Sequence, residues 1–116
     1  MPCMQQVVDL QEDPAFGRLN VTLLSIAIDP PQAWKSEGVP LGITTPMLSD
    51  IGAKVSTSYG VMQWMMPSGE PGHTFVLVDD QGKVLLIKDY GAPEHGGAMY
   101  VTPRDLVKII SGNLTT

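Results

Sequence analysis

Cysteine is all but missing from this sequence: one residue in 116, and it stands at position 3. A single thiol excludes a disulfide within the chain, and with it the class of small secreted scaffolds stapled by bridges. Basic residues are sparse as well, seven Lys and Arg against twelve Asp and Glu, for a formal net charge of −5. They form no run, so the electrostatic footprint of a nucleic-acid partner is absent and a phosphate backbone would be repelled. The longest apolar stretch, "VTLLSIAI" at 21–28, has the length of one strand and falls far short of a membrane span. Neither a basic nor a long apolar region marks the start as a secretory leader, so the chain as written is expected in the cytoplasm. Repeats, low-complexity tracts and linkers are lacking too. A single domain over residues 1–116 is the expectation, with room for one core and little to spare.

What is present has a clear order. From Pro2 to about Gln11, Met4, Val7, Val8 and Leu10 fall near helical spacing, and Pro2 suits a first helical turn, where a missing N–H does no harm. Asp13-Pro14 and Gly17 break that pattern. "NVTLLSIAID" follows, β-branched and almost continuously apolar, which predicts a strand buried on both faces. Pro30-Pro31 ends it and opens a helical turn through Lys35, and "GVPLGITTP" reads as a loop anchored by Leu41, Ile43 and Met47. Ser49 or Asp50 is expected to cap a helix carrying an Ile51, Val55, Tyr59 stripe and closed by Gly60. After the irregular "MQWMMPSGEPG", two β-rich runs flank Asp79-Asp80-Gln81-Gly82 and predict an antiparallel hairpin. Thr102-Pro103-Arg104-Asp105 then opens a last helix with a capping box, and Gly112 is expected to end it. A buried strand followed by helices and a hairpin means α/β with a mixed sheet flanked by helices.

These residues carry a resemblance. "PMLSDIGAKVSTSYGV" followed by "GHTFVLVDDQGKVL" resembles the alkyl hydroperoxide reductase/thiol-specific antioxidant branch of the thioredoxin-like fold, the redoxins. The similarity runs from Pro2 to Leu114; each piece is weakly specific, while their order and spacing are more so. The resemblance implies a thioredoxin-like domain without its N-terminal strand or strands. It also implies that "MPC" is the end of a Cys-x-Pro-Cys motif, with Met1 the variable residue, Pro2 the motif proline and Cys3 the second cysteine. The first cysteine, the usual nucleophile, would precede Met1. Such a thiol belongs at a helix start because free amides and the positive helix end stabilise a thiolate. Two cysteines there run a dithiol cycle; Cys3 alone could only form mixed disulfides with other thiols. Gly72, His73 and Thr74 would line the substrate groove, His73 close enough to tune the thiol.

The sequence departs from the family pattern in two places. Where these folds carry a cis-proline, Gly72 or His73 stands, with Pro71 one or two residues early. The peroxiredoxin Pro-x-x-x-Thr-x-x-Cys loop does not precede Cys3, and His73 replaces the arginine before the Thr-Phe strand. Thiol–disulfide exchange, crippled by the lost first cysteine, therefore stands ahead of two alternatives: a peroxiredoxin-like peroxidase using Cys3, and a non-catalytic thioredoxin-like scaffold. The expected partners are protein or small-molecule thiols and disulfides. No cofactor is implied. A missing central strand would leave "VTLLSIAI" and "HTFVLVD" with bare edges, which a homodimer filling the gap would cover. An upstream signal or anchor, if the parent has one, would move the site outside the cytoplasm.

Other features have plainer readings. His73 and His95, with Asp79, Asp89, Glu94 and Cys3, show no ligand spacing of the Cys-x-x-Cys or His-x-x-x-His kind, so no metal is expected. His95 is assigned to an exposed loop. Trp34, Trp64, Met62, Met65 and Met66 are read as core cover in preference to a docking surface. The Asp79–Gly82 turn lacks the spaced oxygen ligands of a calcium loop.

Overall fold

The computed structural model describes residues 2–114, without the side chains of Pro2, Cys3 and Trp34. Met1, the expected variable residue of the motif, lies outside the described residues, as do the side-chain roles expected of Pro2 and Cys3. Helix α1 spans Pro2–Glu12 and turns Met4, Val7 and Leu10 inward. Asp13 does not merely break it. Its carboxylate accepts from the Phe16 amide at 2.8 Å and caps a short second helix, α2 (Pro14–Gly17), which delivers Phe16 to the core.

The predicted hairpin is present as β3 (Thr74–Val78) and β4 (Val84–Asp89), in antiparallel register with Thr74 opposite Asp89. Its turn is held by Asp79, whose Oδ1 accepts from the Gln81 and Lys83 amides at 2.9 and 2.8 Å. That acidic turn is occupied by its own backbone, and Gly82 supplies the left-handed residue it needs. The last helix, here α5 (Pro103–Leu114), starts as expected, with Thr102 Oγ1 accepting from the Asp105 amide at 3.3 Å. It does not stop at Gly112: the Asn113 side chain donates to the Ile109 carbonyl at 2.8 Å and carries the helix to Leu114. Leu106 and Ile110 pack with Leu10, Phe16 and Val101 into one buried cluster, against which Phe75, Leu77 and Tyr90 lie.

The strand expected over "NVTLLSIAID" is corrected most. Only Ser25–Ala27 (β1) is extended in a ladder, paired in parallel with Met47–Ser49 (β2). It is not buried on both faces, since Leu24 is 51% and Ile26 43% exposed. The reason lies in what covers its faces: Val21 and Leu23 pack against the buried clusters, while Leu24 and Ile26 stand open to solvent. Among the described residues the strands form two separate two-stranded sheets, β1 with β2 and β3 with β4, so β1 gains neighbours on one edge only. The α/β class with both parallel and antiparallel pairing stands; a continuous sheet does not form. Leu23 bridges the two halves, touching both the main cluster and a smaller one of Met4, Val7 and Ile43.

Two local expectations also change. Pro31–Gly38 (α3) is a full helix and not a single turn. Helix α4 begins only at Lys54, because Gly52 and Ala53 are both left-handed. Ile51 thus falls outside the helix and stands 69% exposed, and Val55 and Tyr59 are exposed with it. The N-cap is Ala53 and not Ser49 or Asp50, but Asp50 supplies the acceptor from three residues earlier, to the Val55 amide at 3.0 Å and to the Ser56 amide and hydroxyl at 2.7 and 2.8 Å. Among the described residues no helix is long and apolar enough to cross a membrane.

Candidate functional site

Cys3 lies in the first turn of α1, the end where backbone amides have no helical acceptor. Free amides and the helix dipole at a helix start favour a thiolate in general, and the Cys3 side chain itself lies outside what the structure describes. One turn further along the same helix is Gln6, buried, and a residue no sequence signal had singled out. Its side-chain amide pairs with both backbone groups of Val101: Nε2 donates to the carbonyl at 2.8 Å, and Oε1 accepts from the N–H at 2.7 Å. That pairing fixes which end of the amide is oxygen. Oε1 then also lies 3.0 Å from His73 Nε2, so the imidazole must be the donor and carries its proton on Nε2.

His73 is therefore joined to the Cys3 helix through Gln6. Burial lowers the pKa of its imidazole, an effect that the charge of Asp89 only partly offsets, so the ring is neutral at neutral pH. A Cβ on Gly91 would meet the His73 nitrogen at 2.8 Å, so glycine there is what lets that loop close on the His73 backbone. The preceding Gly72 packs against a different segment, where a Cβ would meet the Trp64 carbonyl oxygen at 2.6 Å. Every peptide bond among the described residues is trans, so no cis-proline occupies the place held by Gly72 and His73.

Thr74 points its hydroxyl at a second cluster. Its Oγ1 donates to Asp89 Oδ1 at 2.7 Å, while Asp89 Oδ2 accepts from the Ala92 amide at 2.9 Å and pairs with His95 Nδ1 at 2.7 Å. Burial alone would push the Asp89 carboxyl up. The hydrogen bonds from His95, Thr74 and the Ala92 and Gly91 amides together outweigh it and hold the group below its ordinary value of 3.8. His95 is exposed, as expected, and ends a 3-10 turn (Pro93–His95), where it is tied to Asp89 and set edge-on to Trp64 at 5.5 Å. Asp89 had been named only as a conceivable metal ligand. Among the described residues no three His, Cys, Asp or Glu side chains gather to hold a metal ion.

Beside these clusters lies a cleft of about 270 Å³, lined by Trp64, Met65, Met66, Gly72, Pro93 and Met99 among others. Met65 and Met66 do not cover the core, as expected; they are exposed, with Val61 taking the buried position in that segment. Of the sequence-assigned residues, then, His73 is tied to α1 through Gln6, while Thr74 turns its hydroxyl to Asp89 and Gly72 packs against the Trp64 carbonyl.

Three comparisons bear on this geometry. The model of the AhpC/TSA family matches residues 1–87. No curated protein matches the chain significantly. Among solved structures, the reduced 2-Cys peroxiredoxin of Plasmodium vivax superposes with a TM-score of 0.71 at 25% identity, over 96% of this chain and 68% of that one. AhpC of Mycobacterium tuberculosis gives 0.73 at 18% identity, over 99% and 63%, and AhpC of Enterococcus faecalis 0.73 at 21%, over 98% and 67%. The chain thus spans 63–68% of the length of these neighbours. The solved structures on which the chain superposes are a peroxiredoxin and AhpC proteins, and the likeness bears out the expected fold.

Proposed function

The chain belongs to the AhpC/TSA family, and on that premise we propose that it reduces peroxides with Cys3 as the reacting thiol. The observation that carries the reading is position: the sole cysteine sits in the first turn of a helix, inside the family-matched span. The Cys3 thiolate attacks one peroxide oxygen; an S–O bond forms as the O–O bond breaks. Cys3 is oxidised to a sulfenic acid, and the departing oxygen takes a proton and leaves as alcohol or water. The 116 residues contain no second cysteine to resolve it. An external thiol condenses with the sulfenic acid, releasing water and leaving a mixed disulfide. A second external thiol then frees Cys3 and departs as the disulfide. One peroxide and two thiols become one alcohol or water, a further water and one disulfide. Thiols are accordingly the partners of the domain.

The test is peroxide consumption with dithiothreitol as the reductant, paired with trapping of the sulfenic acid by dimedone and mass spectrometry. Cys3→Ser should abolish both signals. Turnover that survives in Cys3→Ser would sink the proposal. The same chain should not reduce insulin disulfides catalytically, since a lone thiol cannot run a dithiol cycle. We also infer a homodimer, supported by the unpaired edges that two separate strand pairs leave on β1 and β3.

A further inference from the structure

Helix α1 is short, and its first turn must hold Cys3 still for the amides of that turn to favour a thiolate. Met4, Val7 and Leu10 anchor it from within, but apolar contacts are non-directional and leave a helix free to rotate and slide by fractions of an ångström. Hydrogen bonds are directional and do not. Gln6 supplies three: two to the backbone of Val101, at the entry to α5, and one to His73, at the entry to β3. An apolar residue at position 6 would satisfy the packing of this face, so a buried amide there calls for a reason beyond burial.

We propose that Gln6, acting with His73, is a positioning residue for Cys3: the pair clamps the first turns of α1 to the start of β3 and so sets the reactivity of the thiol. This rests on the reading that Cys3 is the reacting group. His73 suits the part because it cannot drift. Its carbonyl accepts from the Tyr90 amide at 2.9 Å, its ring meets Phe75 edge-on at 5.1 Å, and Gly91 packs directly against its backbone. As the Nε2–H tautomer it donates to the one oxygen on α1 that Val101 has already oriented. A purely structural amide would be content with Val101. The contact to His73 adds nothing to that pairing, and its effect is to tie the Cys3 helix to the groove strand.

The readout is the rate of Cys3 alkylation by iodoacetamide as a function of pH, which reports the thiol pKa without any peroxidase assay. In Gln6→Leu and His73→Leu the thiol pKa should rise toward the free value of roughly 8.5, by about one unit, a roughly tenfold lower thiolate fraction at neutral pH. His73→Gln keeps an N–H donor in nearly the same place and should restore most of the shift. Near-wild-type profiles in folded leucine variants would overturn the proposal. So would His73→Gln behaving like His73→Leu. Should the leucine variants not fold, the wild-type chain decides: alkylation of Cys3 should move the side-chain 15N resonances of His73, and unmoved resonances overturn it. Failure here is distinct from failure of the peroxidase reading. A Gln6-dependent thiol pKa with no peroxide turnover removes the activity and keeps the clamp, whereas turnover abolished by Cys3→Ser with a Gln6-independent pKa does the reverse.

Discussion

Around α1, α5 and the hairpin, Leu10, Phe16, Val101, Leu106 and Ile110 close into one buried cluster, and the polar groups beside it, Gln6, His73 and Asp89, are each matched by hydrogen bonds. Around β1, β2 and α4, by contrast, Leu24, Ile26, Leu48, Ile51 and Val55 all stand exposed. The difference does not follow from composition, for "VTLLSIAI" is as apolar as anything in the hairpin. It follows from what covers each pair: β3 turns Phe75 and Leu77 onto the main cluster that α5 completes, whereas β1 and β2 lean on α3 and the smaller cluster of Met4, Val7 and Ile43. The candidate site belongs wholly to the closed half, where directional contacts can hold it.

The largest effect expected from this contrast is at Leu106, the centre of the closed half. Leu106→Ala should cost about 2–5 kcal/mol, the range for a fully buried leucine. Ile51→Ala, in the open half, should change stability by no more than about 0.5 kcal/mol. Denaturant melts of both variants measure the gap, and equal losses would erase the distinction between the halves. Next comes Asp89. Asp89→Asn keeps the volume but replaces an acceptor of His95, Thr74 and backbone amides with a group that is half donor, a loss of about 1–3 kcal/mol.

The two titrating groups of the site sharpen the comparison through pH. The imidazole of His73 has its pKa lowered in the fold, so the unfolded chain binds a proton first as the pH falls below about 6.5. Stability is then fully present above that value and declines as pH drops through the lower folded value. Asp89 is also depressed, from 3.8, so its contribution is intact above that pH and is lost only in stronger acid. Stability measured against pH should therefore fall in two separate windows. His73→Gln should flatten the first and Asp89→Asn the second. A single decline untouched by either variant would mean that neither group couples to folding.

Legibility followed the same division. The hairpin, the cap of α5 and the extent of α1 are written in local signals: Asp-x-x-Gly, Thr-Pro-x-Asp, apolar residues at helical spacing. β1 was overdrawn because a continuous apolar run says nothing about whether a neighbour exists on each side. The α4 stripe failed because two successive left-handed residues, one of them the non-glycine Ala53, postponed the helix. In the site, His73 and Thr74 were named through the resemblance and not through their chemistry. Gln6 was missed because its partners lie 67 and 95 residues away, though a lone polar residue among Met4, Val7 and Leu10 was a usable signal. Asp89 was out of reach of counting from the turn, since a register shift between Leu77 and Val78 moves the partner of Thr74 from Lys88 to Asp89.

The smallest effect on the fold itself should come from the open half, and it is the one that tests the proposed homodimer. Ile26 is 43% exposed on β1, a strand with one unpaired edge. Ile26→Thr keeps β-branching and strand preference, so the stability of the folded chain should move by no more than about 0.5 kcal/mol. Association is another matter. If two copies cover each other's β1 edge, the substitution removes apolar contact worth about 25 cal/mol per Å² from each copy at once, because a two-fold interface counts every change twice. Light scattering at micromolar concentration should then find the wild-type chain dimeric and Ile26→Thr shifted toward monomer, with little change in its denaturant melt at low protein concentration. A wild-type chain that stays monomeric with a sharp melt would show that the exposed face is no interface. A dimer indifferent to Ile26→Thr would place the contact elsewhere, on the free edge of β3 or beyond the strands.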